Sequence, residues 1–271
     1  MRIPRFWHKA TRAVRTPDGA NWDLEAWGWS DAGVDAAAAQ ARSLLQAQAE
    51  AIAAGRPKAR YLYHDRPLRE EVLAEPLPGV LVTRTRYGAQ VLNAARAAFV
   101  DVDLEVPRAG LLRRLFRRGP SVEEQLDERL ELLRVATEGL LGARVYRTHS
   151  GLRLLLTDRP YVPDAPETLR LLETLGSDPL YRTLCRAQAC FRARLTPKPW
   201  RCGLSRPPCR WPYRDPDAMA RWVERYERAS EGLASARLLT HLGSGEVHPE
   251  VAPVVALHDH LTGAERDLPL A

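Results

Sequence analysis

The strand-like segments of this sequence come in closely spaced pairs, and this spacing constrains the fold more than any other feature. The first pair, 5–15 and 22–30, shows alternating polar and apolar residues around a turn signal at 17–19. Another pair, 143–149 and 152–158, is separated by only two residues. Such short connections join antiparallel neighbours, because parallel strands need a crossover of a dozen or more residues. The sequence therefore predicts a mostly antiparallel sheet.

Helical segments lie between these pairs. The run 31–54 is rich in strong helix formers and is followed by Gly55. The amphipathic run 121–140 begins with Ser121 and Glu124, a capping-box pattern that marks a helix start. Three further helices are predicted near 165–176, 178–191 and 215–230. Together with the strands, they predict an α+β fold with helices covering one side of the sheet.

The remaining elements set the domain organisation. The segments 80–88, 89–95 and 97–104 are predicted as strands of a meander. A last strand is predicted at 236–242, whereas 249–261 fits a strand or a helix equally well. We expect residues 1–79 to form a hairpin and a long helix packed on a core that comprises residues 80–271.

Composition places the chain among soluble globular proteins. It has 271 residues, of which 45% are hydrophobic and 27% charged. No run of eighteen apolar residues occurs, and the first fourteen residues lack the apolar core of a secretory signal. We therefore expect a cytoplasmic protein without a membrane partner. Its four cysteines are expected to be thiols or metal ligands. The sequence leaves the oligomeric state open.

Positive charge is concentrated in one segment. Between Asp178 and Asp215 there is no acidic residue, but nine arginine and lysine residues occur there. Because the net charge of the whole chain is only +6, the rest of the chain is negative overall. Within this basic segment, 182–214, aromatic residues alternate with the cations. This combination favours contact with phosphates and stacking on bases.

The basic segment therefore predicts DNA or RNA as a partner. The candidate nucleic-acid-binding residues are Arg192, Arg194, Lys198, Trp200, Arg201, Arg206 and Arg210. The alternatives are a solvated surface whose arginines pair with acids elsewhere, and an interaction with an acidic protein. A basic insertion at 107–120 would extend the same positive surface.

An apolar segment at 97–104 carries two aspartates, Asp101 and Asp103, separated by one residue. Alternate side chains of a strand point to opposite faces, so both carboxylates share a face with Phe99. Like charges this close are destabilising unless a cation neutralises them, and paired carboxylates are suitable ligands for Mg²⁺ or Mn²⁺. The strand's apolar character predicts a central position in the sheet. The alternative is an edge strand with two solvated acids.

Two further segments carry candidate site residues. The turn at 149–151 places His149, Ser150 and Gly151 before Arg153, which offers a guanidinium for phosphate. Near the end of the chain, Asp259 follows an apolar run and would complete an acidic triad with Asp101 and Asp103. The alternatives are an ordinary hairpin turn and an ordinary surface acid.

The order of these motifs resembles that of the archaeo-eukaryotic primase and primase-polymerase superfamily. Asp101 and Asp103 match its first acidic motif, Ser150 and Gly151 match the start of its second, and Asp259 matches its late acid. The resemblance implies an RRM-like palm, divalent metal at the three acids, a nucleoside triphosphate near the turn, and nucleotidyl transfer. One departure concerns the second motif. The family has a histidine shortly after the serine, where this chain has Leu152 and Arg153.

Three other functions stay open at this point. They are a nucleic-acid-binding module without catalysis, a metal-dependent nuclease that uses the same acids, and an interaction protein. The segments LTPKPW and WRCG also resemble those of a bacterial protein family without an assigned function.

The cysteines form a second candidate metal site. The basic segment contains four cysteines that would allow a Zn²⁺ site, either by themselves or with His241 in place of one of them: Cys185, Cys190, Cys202 and Cys209. Their spacings contain no pair separated by two residues. Buried, unreactive thiols are therefore the alternative to zinc.

Overall fold

The structure is a computed structural model that describes residues 1–55, 67–104, 122–137 and 141–271. The predicted insertion at 107–120 and the helix cap at Ser121 lie outside these residues. Within them the fold is α+β, and all paired strands of its three sheets are antiparallel, as predicted.

The N-terminal hairpin pairs β1 (Phe6–Arg15) with β2 (Asn21–Ser30) along their whole length. Helix α1 (Val34–Ala53) packs on one face of this hairpin through the small cluster of Leu24, Ala26 and Leu45. Gly28 permits the close approach, because a Cβ at this position would overlap the carbonyl oxygen of Ala37. The predicted hairpin and long helix are thus confirmed.

The second sheet has the strand order β10-β7-β8-β6. Its members are β6 (Phe99–Asp103), β7 (Ala143–Thr148), β8 (Gly151–Leu156) and β10 (Ala236–Leu242). The prediction of a central position for 97–104 is wrong, since β6 lies at the edge of this sheet. Its apolar residues are buried because other elements cover it, and not because strands flank it on both sides.

The third sheet has the order β3-β4-β5-β9. Its members are β3 (Glu71–Leu77), β4 (Val80–Arg84), β5 (Gln90–Ala94) and β9 (Phe191–Arg194). The predicted meander is therefore correct for β4 and β5 but wrong for β6, which pairs with β8. The division at residue 79 stays a prediction, although β3 and β4 pair across it.

The remaining helices match the predicted segments within a few residues. They are α2 (Val122–Thr137), α3 (Pro166–Thr174), α4 (Pro179–Gln188), α5 (Pro216–Ser230) and α6 (Ala252–Thr262). Helix α6 resolves the ambiguity at 249–261. The predicted helix 178–191 is too long, because Ala189 adopts a left-handed conformation and β9 follows.

Helices lie on both faces of the second sheet, whereas the sequence predicted helices on one face only. His258 of α6 contacts the ring of Phe99, with the ring centroids 5.3 Å apart. Gly176, just after α3, lies close to Val102, which points to the opposite face. None of the helices in the described part of the chain combines the length and apolar character of a membrane span.

Tyr181 of α4 joins the second and third sheets at their edges. Its hydroxyl lies 3.0 Å from the Phe99 carbonyl oxygen on β6 and accepts a hydrogen bond from the Arg192 amide on β9. The amide of Asp178 also donates to the Asp101 carbonyl. These bonds occupy the open edge of β6 and bring the acidic strand next to the basic segment.

Candidate functional site

Asp101 is held by an arginine on the neighbouring strand. The two residues are directly opposite each other in the register of β6 and β8. The Nε of Arg153 donates to one carboxylate oxygen of Asp101 at 2.8 Å, and another guanidinium nitrogen lies 3.4 Å from the other oxygen. Arg153 is only 1% exposed and also donates to the Arg194 carbonyl at 2.9 Å. Asp101 thus neutralises a buried cation.

Asp103 shares the face of Asp101 but has a different environment. Its side chain is exposed and has no hydrogen bond or ion pair with any described residue. Partial burial raises the pKa of Asp103, and the negative charges of Asp101 and Asp178 raise it further. Lys198 and Arg194 act in the opposite direction but do not cancel these effects.

Asp259 lies on α6 and is committed to other partners. One carboxylate oxygen is 2.8 Å from a guanidinium nitrogen of Arg144, and the other is 3.0 Å from Nδ1 of His258. His258 is fully buried between Phe99 and Tyr146, and this burial lowers its pKa. Asp259 therefore has a structural environment that fixes α6 to the sheet.

These contacts bear on the predicted three-acid metal site. Within the described ranges, no group of three or more His, Cys, Asp and Glu side chains is arranged to hold a metal ion. Mg²⁺ and Mn²⁺ need free carboxylate oxygens, but both oxygens of Asp101 face Arg153, and those of Asp259 face Arg144 and His258. The three acids together do not fit a divalent cation, whereas the carboxylate of Asp103 has no partner among the described residues.

The turn between β7 and β8 contacts the basic segment as well as β6. A guanidinium nitrogen of Arg201 donates to the Ser150 hydroxyl at 2.9 Å. Gly151 lies so close to β6 that a Cβ would overlap the Val102 carbonyl oxygen. His149 is exposed, and its pKa is lowered by partial burial and by nearby cations, of which Arg201 acts most strongly. The structure thus brings the predicted turn and the basic segment together.

Three cations of the basic segment, Arg194, Lys198 and Arg201, form what we term the cation cluster. None of them has an ion pair with an acid in the part of the chain that the structure describes. Burial lowers the pKa of Lys198, and the charges of Arg194 and Arg201 lower it further. Burial and the charge of Arg194 likewise lower the pKa of Arg201. Mutual repulsion of this kind is relieved by a bound anion.

The other predicted basic residues have separate environments. Arg192 makes two hydrogen bonds with Glu70, at 2.7 and 2.9 Å, and is therefore neutralised within the protein. Arg206 and Arg210 are exposed, and the guanidinium of Arg206 lies 5.8 Å from the ring centroid of Trp200. The sequence could not distinguish these cases, because Glu70 is 122 residues from Arg192 along the chain.

Trp200 is an exposed aromatic ring beside the cation cluster. It lies in a short 3₁₀ turn, Pro199–Arg201, and is 48% exposed. Tyr87 contacts it edge to face at 5.7 Å, and the Lys198 ammonium lies 5.5 Å from its ring centroid. An exposed tryptophan held between cations is a suitable stacking surface for a nucleobase.

A cavity of about 780 Å³ opens next to this surface. Its walls come from the N-terminal hairpin, the turn between β4 and β5, β9, α4 and the loop 207–213. Aromatic and arginine side chains predominate among the residues that line it, which include Trp7, Trp27, Arg86, Tyr87, Asp101, Arg194, Arg210, Trp211 and Tyr213.

The four cysteines are distributed over three hydrophobic clusters. Cys185 and Cys190 are buried in two different clusters, and burial raises their pKa to about 12 and about 11. Cys202 and Cys209 both pack near the side of α5 that bears Met219. The zinc site stays a prediction, and the described structure favours unreactive thiols at the two buried positions.

Sequence reasoning missed several residues of this region. Tyr87 was assigned to a strand, yet the β4–β5 turn carries it to Trp200. Tyr181 joins two sheets, and Arg86 lines the cavity. No local pattern marks these roles, because each depends on contacts between segments distant in sequence.

The chain matches no family model, and no curated protein and no solved structure matches it significantly. The likeness to primases therefore depends on the short motifs alone and stays a prediction.

Proposed function

We propose that the protein binds nucleic acid through the cation cluster, with Trp200 as a stacking surface. The observation that carries this proposal is the crowding of Arg194, Lys198 and Arg201 without an acidic partner among the described residues. Phosphate groups would relieve their repulsion, and counterion release would add to the affinity.

The neighbouring residues support phosphate binding at this place. Arg201 already donates to Ser150, so its fork of donors is oriented toward the β7–β8 turn. His149 on the same turn has a lowered pKa and supplies a ring nitrogen for a hydrogen bond. Trp200 is exposed enough to receive a base beside the phosphates.

Fluorescence anisotropy with a labelled single-stranded oligonucleotide tests this proposal. The variant Lys198→Gln with Arg201→Gln removes two cluster charges, and we expect weaker binding with a smaller salt dependence. The slope of log affinity against log salt should fall by about 0.7 for each lost phosphate contact.

The matched control is Arg221→Gln with Arg225→Gln, which removes two exposed charges from α5. It should keep nearly the wild-type affinity and slope. Equal losses in the two double variants would mean that only net charge matters, and they would contradict a site at the cation cluster.

A second candidate is metal-dependent nucleotidyl transfer with Asp103 as the metal ligand, because Asp101 is engaged by Arg153. It is favoured by one observation: the carboxylate of Asp103 has no bond to a described residue, and burial and neighbouring acids raise its pKa. Primer extension with Mg²⁺ or Mn²⁺ tests it, with Asp103→Asn as the variant, because Asp103 has no described partner to disturb. Activity in the wild type that disappears in Asp103→Asn is expected. Equal activity in both proteins, or none in either, would exclude this candidate.

A further inference from the structure

The cavity next to the cation cluster has its own set of free charges. Its lining includes three arginines, Arg86, Arg194 and Arg210. No side chain of the three has a hydrogen bond or ion pair with a described residue. Two other arginines of the wall are already neutralised, Arg192 by Glu70 and Arg84 by Glu71, and Arg69 stacks on the ring of Trp27. Three cations of the cavity wall thus have no acidic partner in the part of the chain that the structure describes.

The size and the aromatic walls of the cavity indicate the class of ligand. A volume of about 780 Å³ lies within the range of about 300–1,000 Å³ that small-molecule sites occupy. The rings of Trp7, Trp211 and Tyr213 line the cavity together with the three arginines that have no described acidic partner. A ligand that has both a planar ring and a concentrated negative charge matches this lining.

Two residues connect the cavity with the proposed binding surface. Tyr87 lines the cavity and also contacts Trp200 on the outside. Arg194 lines the cavity and belongs to the cation cluster. A strand that follows the cation cluster would therefore reach the cavity at one of its ends.

The positive charge of three arginines matches the end of a nucleic-acid strand better than an internal position of it. An internal phosphodiester carries one negative charge, whereas a terminal phosphate monoester carries about 1.5–2 at neutral pH. We propose that the cavity binds a nucleotide with a terminal phosphate monoester, at the phosphorylated end of a strand. The same chemistry occurs in a free mononucleotide. This inference rests on the proposed function and adds to it the part of the strand that the protein recognises.

Four ligands of one base sequence test the inference by competition: a circular single strand and linear strands with a 5′-phosphate, a 3′-phosphate or hydroxyl ends. We expect at least one phosphorylated strand to bind about tenfold more tightly than the circle, because charge-assisted hydrogen bonds to the terminal phosphate are added. The variant Arg86→Gln with Arg210→Gln should abolish this preference, so that the phosphorylated strands bind no more tightly than the circle. The control Arg221→Gln with Arg225→Gln should keep the preference.

Adenosine monophosphate, added as a competitor, distinguishes the phosphorylated end of a strand from a free mononucleotide as the ligand of the cavity. If it displaces the phosphorylated strand at equal concentration, the cavity takes free mononucleotides with the same chemistry. Equal affinity for circular and phosphorylated strands would overturn the inference alone, as would a preference that survives in the Arg86 and Arg210 variant. Absence of binding to every strand would overturn the proposed function as well.

Discussion

Asp101 and Asp103 are chemically identical and two residues apart, yet their roles differ. Asp101 neutralises the buried guanidinium of Arg153, whereas Asp103 has no described partner and a raised pKa. The sequence predicted correctly that both lie on one face of a strand, because that follows from the period of two. It could not predict the partner of Asp101, since the partner depends on the register of β6 against β8.

Replacement of each acid should separate these roles. We expect Asp101→Asn to lower the free energy of unfolding by about 1–3 kcal/mol, because it leaves Arg153 buried without a counter-charge. Asp103→Asn should not destabilise the protein at neutral pH. Folding raises the pKa of Asp103, so the folded protein holds this proton more tightly than the unfolded chain. Ionisation of Asp103 therefore lowers the free energy of unfolding as the pH rises above the unfolded pKa of about 3.9.

Urea unfolding at pH 7 and at pH 3.5 measures both effects. Any gain in stability from Asp103→Asn should be present at pH 7 and shrink at pH 3.5, where the unfolded-state carboxyl is largely protonated. A loss of stability for Asp103→Asn as large as that for Asp101→Asn would contradict the distinction.

At the scale of secondary-structure elements, local patterns predicted most strands and helices but not all. The missed strand β3 contains Pro76, which breaks the usual strand pattern, and β9 has only four residues directly after a helix. The third sheet was therefore incomplete in the prediction. The edge position of β6 was also missed, because the residues that cover it come from 178–181, far along the chain.

The packing of α1 on the hairpin depends on the missing side chain of Gly28. We expect Gly28→Ala to destabilise the protein by about 1–3 kcal/mol, because the new methyl group would overlap the backbone of α1. Thermal unfolding measures this loss. Thr11→Ala, on the exposed part of the same hairpin, is the control and should have little effect. If Gly28→Ala had as little effect as Thr11→Ala, the hairpin and α1 would be able to move apart at this position without loss of stability.

At the scale of the whole molecule, the fold divides the nine cations of the basic segment into different roles. Arg192 is neutralised by Glu70 and Arg182 pairs with Glu173, whereas Arg194, Lys198 and Arg201 have no described acidic partner. The sequence therefore predicted where positive charge accumulates but not which charges stay available. That distinction requires the distant acids, which only the folded chain brings into contact.

The coupling of the two larger sheets should depend on one hydroxyl group. We expect Tyr181→Phe to lower the free energy of unfolding by about 1–3 kcal/mol, because it leaves the Arg192 amide without a partner. Hydrogen exchange should accelerate at the Arg192 amide. Tyr161→Phe, which removes a hydroxyl bonded to Asp158, is the control and should leave that amide protected. Unchanged exchange at Arg192 in Tyr181→Phe would mean that other contacts hold the sheets together.

The bonds of Asp178 and Tyr181 to the backbone of β6 also affect how copies of the protein meet. An open edge strand is a template on which another chain can add its own strand, and aggregation often starts there. Here the carbonyls of Phe99 and Asp101 are already engaged. A second molecule finds no free acceptor at these two positions, so the strand that carries the acids can face a ligand without recruiting a neighbour.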